Sequence, residues 1–259
     1  MINRFLTAVS FLTVIPLKLK KVSEKDILGS VVFFPLVGFL EGVFFLVLVK
    51  GLNPMFSSAV IATVLLVFLF SIRGIFHLDG LSDTFDALFY KETGDSASDK
   101  LRRLEIMKDS TVGVAGVVAV VMNIICKFVL FKECIDIGQV MIFTFMFTFS
   151  RWSVIPLMYY SRPAKNTGLG AMFIGRISKL NFILSSVLPA FLLLYFTLKS
   201  FIFLPLIVLF LLIVIFILKN LFESKFSGVT GDNLGASIEI IEVVFIFCFL
   251  LFEKLWLNY

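Results

Sequence analysis

The sequence predicts an all-α, polytopic membrane protein with about seven transmembrane helices. An N-terminal interfacial or re-entrant segment and an acidic cytoplasmic helix complete one integral-membrane domain over residues 1–259. Three observations carry that prediction. Hydrophobic residues make up 59% of the chain and charged residues 16%, and the mean hydropathy is +1.05; soluble domains run at roughly 45–50% and about 25%. Seven stretches approach the ~20 apolar residues that a bilayer-crossing helix needs. Lysine and arginine also gather in alternate loops. This composition excludes an ordinary soluble enzyme, a disordered chain and a disulfide-stapled domain. Cys126, Cys134 and Cys248 lack the paired spacing of a zinc site. The net charge of +5 reads as loop charge that orients helices, with no nucleic-acid partner implied.

Taken in order, residues 1–16 imitate a secretion signal but lack a small-residue cleavage site. Pro16 followed by Lys18, Lys20 and Lys21 ends the segment early, so it is read as retained at the interface. Spans follow at 31–49, 56–72, 112–131, 138–158, 182–198, 201–218 and 237–257; the clearest, 201–218, contains no polar residue. Segments 1–30, 73–110, 159–181 and 219–236 together carry 17 of the 23 lysines and arginines. The opposite side holds only Lys50, Lys132, Lys199 and Lys254, while Lys127 and Arg151 fall within spans. The positive-inside rule then places the N-terminus in the cytoplasm and the C-terminus outside.

Carboxylates are scarce enough to be informative. The 73–110 segment carries Asp79, Asp83 and Asp86 at i, i+4 and i+7, one face of a helix. Like charges at that spacing repel, and a divalent cation would supply the missing counter-charge. Oxygen-only ligands suit Mg²⁺ bridged to substrate phosphates. A solvated acidic face is the plain alternative, but the intervening Leu78, Leu81, Phe85, Leu88 and Phe89 suit a helix laid on protein or lipid with its acids aimed at a cleft. A second cluster places Asp232 in a glycine-rich turn and Glu239 and Glu242 on the last span, where acids are costly and read as functional. Arg102, Arg103 and Lys108 are candidate phosphate partners, joined by Arg151 and Arg176; Lys179 reads as a topology charge. Asp109 and Ser110 stand where an N-cap would precede the 112–131 span. Glu41, inside the first span, reads as an interhelical hydrogen bond. His77 is the single histidine; it would contact phosphate, move a proton or serve structurally. One histidine excludes a nucleophile–histidine–acid triad, and no P-loop pattern occurs. The cluster chemistry is that of a Mg²⁺-bound diphosphate, in which a carboxylate positions or deprotonates an attacking hydroxyl. That describes a membrane phosphotransferase or prenyltransferase, with an ion-coupled transporter as the rival class.

The segments HLDGLSDTFD (77–86), RLEIMKDSTVGVAG (103–116), SRW (150–152), GLGAMF (168–173) and TGDNLGASIEIIE (230–242) resemble the signatures of the adenosylcobinamide-GDP ribazoletransferase, or cobalamin synthase, family. FLTVIP (11–16) and FFPLVG (33–38) match its N-terminal signatures, so the likeness runs in order from residue 11 to 242. It implies a single transferase domain in the bacterial inner membrane, active on the cytoplasmic face with Mg²⁺. The substrates implied are adenosylcobinamide-GDP and α-ribazole or its 5′-phosphate, and the products adenosylcobalamin or its 5′-phosphate and GMP. A CDP-alcohol type phosphotransferase is the nearest alternative. Corrin-pathway enzymes or a second copy of the chain are conceivable partners. On this resemblance Asp79, Asp83, Asp86 and Asp232 hold the metal, with Glu239 completing the catalytic set. His77, Arg102, Arg103, Lys108, Asp109 and Arg151 bind substrate phosphate. Ser82, Ala87 and Ser227 depart from a usual alanine, glycine and glycine, and Val14 stands where arginine is common.

Overall fold

The computed structural model describes residues 1–17, 22–165, 167–168, 170–199 and 201–257. Lys18, Lys20 and Lys21, the expected stop of the N-terminal segment, lie outside them. Eleven α-helices and no strand form among the described residues, in chain order α1 (Ile2–Leu12), α2 (Glu24–Ser30), α3 (Phe34–Leu52), α4 (Ser58–Arg73), α5 (Phe76–Leu88), α6 (Ser96–Ile106), α7 (Val114–Asp136), α8 (Ile142–Tyr160), α9 (Lys179–Lys199), α10 (Leu204–Phe226) and α11 (Gly231–Leu257). Short 3₁₀ turns at Val31–Phe33 and Gly170–Met172 join this bundle.

Each expected span has its helix: α3, α4, α7, α8, α9, α10 and α11. By length and apolarity alone five helical segments could cross a membrane, or six if α4 and α5 form one bent span. The strict count falls below seven because α4 has only 16 residues and α8 carries Arg151 at its middle. Helix α8 can be that polar because protein encloses it: Ile142 to Met158 are buried except Trp152. It packs on α3, where Gly38 and Gly42 allow backbone contact. A Cβ at Gly38 would stand 2.1 Å from the Phe147 carbonyl oxygen, and one at Gly42 would stand 2.3 Å from Thr144 Cα. This small-residue spacing lets membrane helices approach closely. Phenylalanines fill the space around the contact, with Phe45 edge-on to Phe147 at 4.9 Å and Phe131 to Phe143 at 4.9 Å.

The N-terminal segment is helical and too short to span. Eleven residues at 1.5 Å each reach roughly 17 Å, about half of the ~30 Å hydrocarbon core. Helix α1 instead packs against α2 and α3. At the other end of α4 the chain turns by 89° into α5, so α5 runs across the end of the bundle rather than along it. Gly74 makes the corner with φ +65°, a left-handed conformation that glycine adopts without penalty. Helix α5 then wedges between α7 and α11.

Candidate active site

Two residues on facing helices set the site. Gly80 of α5 lies against the start of α11 so closely that a Cβ there would stand 2.7 Å from the Asp232 carbonyl oxygen. The start of α11 is fixed locally as well. Thr230 and Asn233 cap each other, Thr230 N donating to Asn233 Oδ1 at 3.0 Å and Asn233 N to Thr230 Oγ1 at 3.1 Å. Asn233 Nδ2 also donates to Thr84 Oγ1 on α5 at 3.1 Å. Reciprocal caps of this kind satisfy backbone donors at a helix start, and here the cap also docks α11 on α5.

Beside this junction opens a cavity of about 810 Å³, within the range of enclosed small-molecule sites. His77, Asp79, Lys165 and Asp232 line its polar end. Apolar residues of α1, the start of α3, α8 and α11 line the rest. Asp83 stands one helical turn from Asp79. Burial pushes its carboxyl up to about 7, reinforced by the charges of Asp79, Asp232 and Asp86. Burial likewise draws the Lys165 ammonium below its usual value, against the attraction of Asp232 and Asp83. Among the described residues no ion pair neutralises Asp79, Asp83 or Asp232. Nor do three His, Cys, Asp or Glu side chains converge as placed to hold a metal ion. The donor set is nevertheless chemically suited to Mg²⁺: the carboxylates of Asp79, Asp83 and Asp232 come from two elements, and burial together with the charge of Asp79 raises the carboxyls of Asp83 and Asp232.

The other expected site residues lie elsewhere. Asp86 turns to α7, where its Oδ2 accepts from Gly113 N at 2.7 Å and its Oδ1 from Gly116 N at 2.8 Å. It therefore caps α7, the task expected of Asp109 and Ser110; Asp109 instead accepts from Thr111 N and Oγ1 in an exposed turn. Arg103 is buried, donating to the Ala87 carbonyl at 3.1 Å and to Glu92 at 2.7 Å. Arg102 pairs with Glu105 on the surface, Lys108 is exposed, and Arg176 pairs with Glu24. Arg151 and Glu239 belong to a buried ionic cluster behind the pocket. Arg73 donates to Glu41 and Glu242, Arg151 to the same two, and Lys127 to Glu239 and Glu242. Three acids face three bases, so the cluster is neutral. His77 stands between cluster and pocket, its Nδ1 4.0 Å from Glu239 Oε1 and without a hydrogen bond among the described residues. Reading the sequence missed Lys165, Arg73 and Lys127. Lys127, charged inside an apolar run, was the one visible signal. Glu41 bonds between helices as expected, but in ion pairs.

Fold and site together define a multi-pass membrane protein with a pocket lined by Asp79, Asp232 and Lys165 at one end of its helical bundle. Residues 4–250 match the family described as CobS, cobalamin-5-phosphate synthase, and the chain belongs to that family. It is thereby a membrane transferase of cobalamin biosynthesis. The chain is 63% identical to the adenosylcobinamide-GDP ribazoletransferase of Thermodesulfovibrio yellowstonii over the whole of both chains. It is 32% identical to the protein of that name from Clostridioides difficile, over 94% of this chain and 95% of the relative. The Alkaliphilus metalliredigens protein, also so named, is 33% identical over 96% and 94%. No solved structure matches.

Proposed function

We propose that the chain joins adenosylcobinamide-GDP to α-ribazole or α-ribazole 5′-phosphate in the bacterial inner membrane. The site faces the cytoplasm, and the products are adenosylcobalamin or its 5′-phosphate and GMP. The observation that carries this reading is the meeting of Asp79, Asp232 and Lys165 at one end of a pocket, in a chain alike along its full length to relatives named for that reaction. The acceptor hydroxyl oxygen bonds to the phosphorus bearing the cobinamide, the P–O–P bridge opens, and GMP leaves with the bridging oxygen. The hydroxyl proton passes to a pocket carboxylate. Asp79, Asp83 and Asp232 would hold Mg²⁺, which would supply the positive charge that a diphosphate leaving group requires. Lys165 contributes a second cation at the same end of the pocket. Asp86 serves the site indirectly by holding α7 against α5.

Purified protein given both substrates should release GMP, depend on Mg²⁺ and stop with EDTA. Asp79→Asn and Asp232→Asn should insert normally and lose about 100-fold or more in turnover, the scale of losing a transition-state charge contact. Folded wild-type protein that releases no GMP overturns the reading.

A further inference from the structure

The proposed reaction has two substrates of very unequal size, and the volume of the pocket matches the smaller one. Enclosed sites of ~300–1,000 Å³ suit drug-sized ligands. The cavity, at about 810 Å³, fits a nucleoside but not a corrinoid carrying two more nucleosides. Its apolar part has rigid walls: Leu12, Phe34, Val154, Met158 and Ile238 line it while themselves buried. Phe11 lies parallel to Phe34 at 5.9 Å and edge-on to Phe173 at 4.8 Å, which fixes its ring at the pocket wall.

The polar inventory of that wall decides which base enters. Helix α1 and its C-terminal cap bring three hydroxyl residues to the cavity, Thr7, Ser10 and the cap Thr13. Thr7 Oγ1 donates to the Asn3 carbonyl and Thr13 Oγ1 to the Val9 carbonyl, each at 2.7 Å. Both protons are spent within the helix. Ser10 alone makes no hydrogen bond among the described residues. Guanine brings the acceptors O6, N7 and N3 to a wall with one free donor, and would leave acceptors unpaired there, each costly. A dimethylbenzimidazole attached to ribose has no N–H, one unsubstituted ring nitrogen as acceptor and two methyl groups. One hydroxyl and an aromatic box satisfy it.

We propose that the apolar part of the pocket seats the benzimidazole ring of the acceptor, with Ser10 donating to its free nitrogen and the donor's corrin remaining outside. This directs the ribose toward Asp79 and Asp232, where the hydroxyl reacts. The inference rests on the joining reaction proposed above. Ser10→Phe, which fills the space, and Phe11→Ala, which removes a wall, should each raise the KM for α-ribazole about tenfold. The KM for adenosylcobinamide-GDP and the rate at saturating acceptor should change less than twofold, on the ~tenfold scale above. In wild-type protein an adenine riboside, whose three ring-nitrogen acceptors meet one free hydroxyl donor on this wall, should be used far less well than α-ribazole. Wild-type protein without GMP release fails the joining reaction itself. Active wild-type protein with unchanged acceptor KM in both variants, a raised donor KM instead, or equal use of the adenine riboside overturns the subsite alone.

Discussion

Asp83 concentrates the cost of gathering acids without a counter-charge. Its carboxyl rises from 3.8 to about 7 through burial and the neighbouring Asp79, Asp232 and Asp86, with only Lys165 opposing. A raised acid pKa in the folded state gives stability that is full below 3.8 and is lost as pH climbs toward 7. Metal-free protein should therefore lose Tm on this account between pH 4 and 7, and Mg²⁺ should restore it at neutral pH. Asp26, Glu92, Asp99 and Asp109, whose carboxyls are lowered mainly by hydrogen bonds, push the opposite way. The readout is thus the difference between wild type and Asp83→Asn in EDTA, measured by thermal unfolding in detergent. A difference that does not vary with pH refutes the coupling. Two family departures also acquire physical meaning at this scale. Ser227 has φ +63° at the end of α10, a left-handed position that explains the usual glycine. Ser82 replaces an alanine and leaves its buried hydroxyl without a partner among the described residues.

Between elements, the ionic cluster ties α4, α7, α8 and α11 together through Glu242, which contacts Arg73, Lys127 and Arg151, and α3 joins through Glu41. Intramembrane charges survive by facing one another inside a bundle, and breaking such a set leaves charge buried without compensation. Glu242→Gln should lower stability by about 3–5 kcal/mol, seen as a large drop in Tm even with Mg²⁺ saturating. A drop under ~1 kcal/mol, the level of an exposed pair, would mean the cluster is solvated. The sequence made the helices legible because apolar runs are local: 201–218 alone announces α10. It could not show this cluster. Arg73 closes an apolar run and so resembles a loop charge, and Glu41 stands alone in its span; only packing brings them together. Asp86 as the cap of α7 was equally hidden, because its partners Gly113 and Gly116 lie 27 and 30 residues along the chain. The acids of the pocket were legible through their spacing, and Lys165 was not, having no motif around it.

Over the whole molecule, the four segments expected to share one side of the membrane meet at one place. The pocket takes lining residues from α1, from the start of α5, from the 161–178 connection and from the α10–α11 connection. Those are the segments that carry most of the lysines and arginines, and the alternation of loops inferred from charge is thus the alternation of chain ends in the bundle. Arg73 leaves the loop tally by joining the cluster, which takes one charge from 17 and leaves the asymmetry against four intact. With α3, α4, α7, α8, α9, α10 and α11 each crossing once, an odd number of spans puts the end of α11 opposite the pocket. Orientation then follows from the basic loops. Alkaline phosphatase fused after α11 should be active and a fluorescent protein fused there dark, whereas fusions within 161–178 should behave in reverse. The opposite pattern would turn the pocket away from the cytoplasm and from any guanine-nucleotide substrate made there. Two like-sided fusions would mean that one of α9, α10 or α11, the helices between the two fusion points, does not cross.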